Sequence, residues 1–132
     1  MATIFTRIMN GEIPGYVVAE NNEFFAFLDI QPLAKGHTLV VPRMEVDYIF
    51  DLNSELHKGL WDFARVVATG LRQAIPCKRI GVAVIGLEVP HTHIHLIPMN
   101  QVSDMNFSRP KLSFSKEEME QTAQAIRSKI IL

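Results

Sequence analysis

One cysteine, one tryptophan and two tyrosines are the chain's whole complement of those residues. A lone thiol, Cys77, excludes an internal disulfide framework and a Cys-rich zinc site, and it reads as a small, partly buried hydrophobe. An excess of charge of either sign is also missing, with 13 Lys and Arg against 14 Asp and Glu and a formal net charge of −1. Such a balance exerts no long-range pull on nucleic acid or anionic lipid. A nucleic-acid partner is therefore not expected, and any phosphate-bearing ligand must be held by local donors. No apolar run approaches the ~20 residues that cross a bilayer. The opening MATIFTRIMNGEIPG lacks the basic region and long apolar stretch of a secretory signal. The expectation is a cytoplasmic protein without membrane association. Internal repeats and low-complexity tracts are absent as well.

What remains is an ordinary globular composition, 132 residues with 48 % hydrophobic and 20 % charged. That length suits one domain with a real core. The domain spans 1–132, with a core of 1–100 and a C-terminal segment of 101–132. TIFTRIMNGE carries Ile4, Phe5, Ile8 and Met9 at helical spacing, and Gly11, Pro14 and Gly15 break it. YVVAE (16–20) and FFAFLDI (24–30) read as strands around an Asn21-Asn22 turn, and HTLVVP (37–42) as a third. From 53 to 75, Leu56, Leu60, Phe63, Val67, Leu71 and Ala74 make one apolar stripe of a long helix. Asn53 or Ser54 can cap its start and Pro76 bars its continuation. RIGVAVIG (79–86) and PHTHIHLIPM (90–99) read as strands joined through Leu87-Glu88-Val89. After a polar, irregular stretch, Ser115 and Glu118 form a capping box that opens a helix over about 115–130. The pattern predicts an α+β fold: about five strands in a mainly antiparallel sheet, a long central helix, a short N-terminal helix and a C-terminal helix, with the helices on one face.

Three of the five histidines lie within PHTHIHLIP. On a strand, His91, His93 and His95 share one face at ~6.6–6.8 Å per step, while Thr92, Ile94 and Leu96 take the other. Three imidazoles without neighbouring carboxylates imply a specialised surface. Histidine titrates near neutrality, so one ring can act as nucleophile or base. It is also the commonest zinc ligand, and three rings leave an open position on a catalytic metal. Spacing alone does not separate the two readings.

His91-Thr92-His93-Ile94-His95-Leu96-Ile97 resembles the His-φ-His-φ-His-φ-φ motif of the histidine triad (HIT) superfamily, with Thr92 the one φ position that is not hydrophobic. IFTRIMNGEIPG, AFLDIQPLAKGHTLVVP and the helix 53–75 are similar to family segments in the same order, so the likeness covers roughly residues 3–99. The resemblance implies the HIT-like fold, a homodimer, and a nucleotidyl hydrolase or transferase. Its ligand would be a purine nucleotide or nucleotide conjugate: a nucleoside phosphoramidate, dinucleoside polyphosphate or related phosphate ester. It further implies His93 as nucleophile, with His91 and His95 orienting it and hydrogen-bonding the phosphoryl oxygens, and His37 joining from a neighbouring strand. Asp29 would accept from the ribose hydroxyls. Phe5, Ile8, Ile13, Phe27 and Ile30 would enclose the base, and Gly86 would sit in the phosphate loop. No cofactor and no structural zinc is implied, because the family's zinc-binding branches use paired cysteines.

Two places in the chain depart from the family. Leu87 and Glu88 stand where many members carry Gln and then Ser or Thr, and Glu45 where another histidine is common. Loss of an amide and a hydroxyl removes phosphate donors, and a carboxylate at Glu88 can repel an anion, act as an acid, recruit a cation or point away. A nucleotide-binding protein with little turnover and a His-ligated metalloenzyme stand as alternatives.

Overall fold

The computed structural model describes residues 2–132. Five strands form one antiparallel sheet: β1 (Val17–Glu20), β2 (Phe24–Leu28), β3 (Thr38–Pro42), β4 (Arg79–Ala83) and β5 (Ile94–Met99), in the order β1-β2-β3-β5-β4. Three helices accompany it, α1 (Ile4–Met9), α2 (Ser54–Ala74) and α3 (Lys116–Arg127). The α+β architecture and the element order are those read from the patterning.

Local chemistry explains the boundaries. Asn21 Oδ1 accepts from the backbone N–H groups of Glu23 and Phe24, which closes the β1–β2 turn. The Asn53 side chain caps α2 by accepting from Leu56 N–H, and Ser115 and Glu118 complete the reciprocal capping box of α3. α2 runs 21 residues, about 31 Å. It buries Leu60, Phe63, Val67 and Leu71 against the sheet, each contributing about 1.5–3 kcal/mol of transfer free energy.

Two expectations are corrected. The helices do not all lie on one face. Alternation along β2 sends Phe24, Ala26 and Leu28 into the core beneath α2 and α3, and Phe25 and Phe27 into a second core with Leu39, Val41 and Phe5 of α1. β2 and β3 are therefore buried along their whole length. Nor does the last strand begin at Pro90, because β5 starts at Ile94 and the connection from β4 takes in residues 84–93. The Thr92 N–H and hydroxyl both donate to the Val46 carbonyl, at 2.7 Å each, and so hold this stretch to the β3–α2 connection rather than to a sheet neighbour.

Candidate active site

Three segments converge on the α1 side of the sheet. The β2–β3 loop closes on itself through Asp29 N–H to the His37 carbonyl (2.9 Å), which sets Asp29 and His37 side by side. Its turn needs Gly36 at φ +90°, where a Cβ would also meet Ile75 and Leu71 at 3.0 and 3.2 Å. The β4–β5 connection carries His91 and His93, and β5 itself carries His95, paired with Leu39. The four rings are buried, with 0 % of His91, 2 % of His37, 7 % of His93 and 8 % of His95 exposed. This is a lined recess, not the exposed polar face of a strand.

Each ring's hydrogen bonds fix its tautomer, because a carbonyl only accepts and a backbone N–H only donates. His93 Nδ1 lies 2.7 Å from the His91 carbonyl, so Nδ1 carries a proton, and in the neutral ring Nε2 keeps a free lone pair. The Leu33 N–H donates to His37 Nδ1 (3.0 Å), which leaves the proton on His37 Nε2 to reach His95 Nδ1 at 2.9 Å. His95 then holds its remaining proton on Nε2. Burial lowers both titrations, His37 to about 3 and His95 to about 4, with neighbouring rings adding to the effect. Both are neutral at physiological pH.

His91 departs from one part of what the resemblance implies, the hydrogen bond to a phosphoryl oxygen. Its Nε2 donates to the Pro42 carbonyl (2.7 Å) and its Nδ1 accepts from the Thr3 hydroxyl (2.6 Å). With both nitrogens occupied and no exposed surface, it has no hydrogen-bonding atom left for a phosphoryl oxygen. Its own carbonyl accepts the Nδ1–H of His93. Glu45, the second departure, fastens α1 against this region by accepting from Thr3 N–H (2.7 Å) and the Thr6 hydroxyl.

Beside the rings opens a cleft of about 490 Å³, a size usual for small-molecule sites. Phe5, Asp29, Ile30, Gly86, Glu88, His37, His93 and His95 line it. Phe27, Ile8 and Ile13 do not. Phe27 is buried behind Phe5 at 5.4 Å between ring centroids, Ile8 lies where a Gly15 side chain would be, and Ile13 sits in a turn held on the Arg7 carbonyl. Their apolarity serves packing under α1. The structure adds Phe107 from the C-terminal segment, and of Arg109 and Lys111, the two basic residues there that the sequence offers as phosphate contacts, it brings Lys111 to the cleft. The Phe107 ring lies 4.9 Å from that of His95, and the Lys111 ammonium donates to the Phe107 carbonyl. An isolated phenylalanine in a polar loop was the signal available for the first. Arg109 points elsewhere, to the Ser103 carbonyl and Asp104.

Asp29 lies 3.7 Å from His37 Nε2, and burial raises its titration above the usual carboxylate value. Among the described residues, Asp29, His37 and His95 are the one set of three metal-type ligands whose donor atoms converge, all within 4.8 Å. The three rings of the sequence motif do not form such a set. The facing nitrogens of His37 and His95 are engaged with each other. Chemically the site offers a fixed, unprotonated imidazole nitrogen, an adjacent N–H donor and a carboxyl acceptor in one recess.

The neutral rings make stability depend on pH. Their ordinary value is 6.5 and their folded values are about 3 and about 4, so between those limits the unfolded chain binds more protons than the folded one. Stability is then fully present above pH 6.5 and is lost as pH falls. Urea denaturation is expected to show a loss of about 2.5 kcal/mol per ring, on the order of 5 kcal/mol for the pair, between pH 7 and pH 4.5. A flat profile over that range would contradict the neutral assignment.

Comparison with known proteins gives a consistent result. A family model described as the HIT domain matches residues 10–102. An uncharacterised HIT-like protein of Borreliella burgdorferi is 30 % identical over 135 residues, covering 96 % of this chain and 97 % of its own. An adenosine 5′-monophosphoramidase of Schizosaccharomyces pombe is 32 % identical over 133 residues, covering 98 % and 99 %. Among solved structures, a HIT-like protein of Bartonella henselae superposes with a TM-score of 0.85 at 27 % identity, over 97 % of this chain and 96 % of that one.

Proposed function

This chain belongs to the HIT domain family, and we propose that it is a hydrolase or transferase that cleaves a nucleoside phosphoramidate, dinucleoside polyphosphate or related phosphate ester through a nucleotidyl intermediate on His93. The observation that carries this reading is the free Nε2 of His93, its ring held by Nδ1–H on the His91 carbonyl and facing the cleft. A neutral imidazole nitrogen is nucleophilic, and a covalent intermediate divides one difficult displacement into two easier ones. The S. pombe phosphoramidase, similar over nearly its whole length, supports the substrate class.

In the first step the His93 Nε2 lone pair forms a bond to the α-phosphorus. The bond to the leaving group breaks, and its electron pair departs with that group. Water then attacks phosphorus, the P–N bond breaks, and its electron pair returns to Nε2. A departing amine takes one proton from solvent as its bond to phosphorus breaks, and the attacking water returns one to solvent in the second step, so a phosphoramidate and water give an amine and a nucleoside monophosphate. His95 Nε2–H is the donor for a non-bridging oxygen, positioned by His37. Asp29 is the acceptor for the ribose hydroxyls, and Phe5 and Ile30 offer apolar surface to the base.

Incubation with an adenosine phosphoramidate is expected to release AMP, with acid quenching trapping a nucleotidyl adduct on the peptide containing His93. Binding of AMP without product from either a phosphoramidate or a diadenosine polyphosphate would favour the binding-protein reading instead. We also propose a homodimer. β4 is an edge strand of the sheet, and beside it Val82, Val84, Ile85, Phe50 and Trp61 expose apolar surface. Sedimentation at micromolar concentration tests this, and a single-chain mass would exclude it.

A further inference from the structure

Glu88 does not follow from the role assigned to the rest of the cleft. It lines the recess with His93, it is exposed, and among the described residues its carboxylate makes no hydrogen bond or ion pair. Other acids near functional or capping positions are engaged: Glu45 with Thr3 and Thr6, Asp104 with backbone N–H groups and Arg109, Glu118 with Ser115. Asp29, the second acid of the cleft, is tied to the Gln31 N–H. Of the two acids lining the cleft, Glu88 is the one whose carboxylate has no partner among the described residues.

The charge inventory of the recess gives that carboxylate its weight. Among the described residues Lys111 is the only Lys or Arg lining the cleft, and it stands over the Phe107 ring on the Phe107 carbonyl. His37 and His95 are neutral at physiological pH, as their tautomers require. One ammonium therefore faces two carboxylates where a phosphorylated substrate must sit. The nucleotidyl phosphate itself carries one negative charge and can be met by Lys111 and His95. A polyphosphate leaving group brings several more and finds no second cation. A carboxylate placed beside incoming phosphates disfavours the more highly charged ligand.

We propose that Glu88 selects the leaving group by charge, so that this chain acts on nucleoside phosphoramidates whose amine carries a positive charge on its far side and turns away dinucleoside polyphosphates. The inference rests on the reading of His93 as nucleophile. It narrows that reading to one leaving-group class, a cation-bearing amine that Glu88 holds by an ion pair. The flanking Leu87, 88 % exposed on the same loop, offers apolar surface to the carbon chain of such an amine.

The experiment compares wild type with Glu88→Gln on three substrates: an adenosine phosphoramidate of a diamine, one of a neutral alkylamine of equal length, and diadenosine tetraphosphate. Wild type should prefer the diamine compound over the alkylamine one by at least about tenfold in kcat/KM, and Glu88→Gln should erase that preference. The ratio of tetraphosphate to alkylamine turnover should rise at least about tenfold in the variant. Unchanged ratios would overturn the proposal. Calorimetry with ATP and AMP gives a reading independent of turnover, since the affinity ratio of ATP to AMP should also rise at least about tenfold in Glu88→Gln. Loss of turnover by wild type on all three substrates, with that affinity ratio still shifting, would remove the catalytic reading and leave the charge selection standing. An unshifted affinity ratio would remove the selection itself.

Discussion

Replacing His93 by alanine is expected to lower kcat on an adenosine phosphoramidate by a factor of about 10⁴ or more, with AMP affinity changed only a few-fold. The asymmetry follows from geometry. Nε2 is the one ring nitrogen in the site that has neither a proton nor a partner, since His91 and His37 have both nitrogens engaged and His95 keeps a proton on its free Nε2. No neighbour can take its place in forming the bond to phosphorus. Ground-state binding, on the function proposed above, rests on Asp29, Ile30 and Lys111, which line the cleft and which the substitution leaves alone. The Phe5 ring, centred 5.0 Å from that of His93, loses one edge contact, which accounts for the small change in affinity. Single-turnover kinetics beside calorimetry checks both halves. Residual turnover within tenfold of wild type would end the covalent mechanism.

A second large effect is expected at His91, in stability as well as rate. Its ring is fully buried and bridges Thr3 of the N-terminal segment to Pro42 of β3. In His91→Ala the Pro42 carbonyl loses this partner, the Thr3 hydroxyl keeps only its bonds to Thr6, and a ring-sized void opens beside Phe5, whose centroid lies 5.6 Å away. The unsatisfied carbonyl and the cavity together cost about 3 kcal/mol, which for a chain of this size lowers Tm by about 10 °C. Because the His91 carbonyl orients His93, kcat should fall further than KM rises. His91→Asn, which can retain one of the two bonds, should recover part of both losses. Denaturation midpoints at pH 7 within about 0.5 kcal/mol of wild type would contradict the bridging role.

The two variants also separate what a pattern can reveal from what it cannot. Equal spacing makes His91, His93 and His95 look equivalent, and the expectation of one continuous strand follows from it. Thr92 breaks that equivalence. Its hydroxyl and N–H bind the Val46 carbonyl, so the first two rings leave the sheet and only His95 stays on β5. The same limit applies to Ile8, Ile13 and Phe27, whose apolar character suits a base-binding wall and an α1-side core equally.

By itself the sequence determined the helix ends, the alternation of the strands, the α+β class and the residue types that carry the chemistry. These depend on neighbours within a few positions, and short-range periodicity and capping residues specify them. The tertiary structure alone decided the protonation pattern of the four rings and the lining of the cleft. Thr3 meets His91 across 88 residues, His91 meets Pro42 across 49, and His37 meets His95 across 58. Phe107 and Lys111 enter only when the C-terminal segment folds back, with Leu112 N–H on the Pro32 carbonyl at 2.8 Å. Which nitrogen keeps its lone pair depends on which donors and acceptors the folded chain brings within about 3 Å, and no local spacing encodes that.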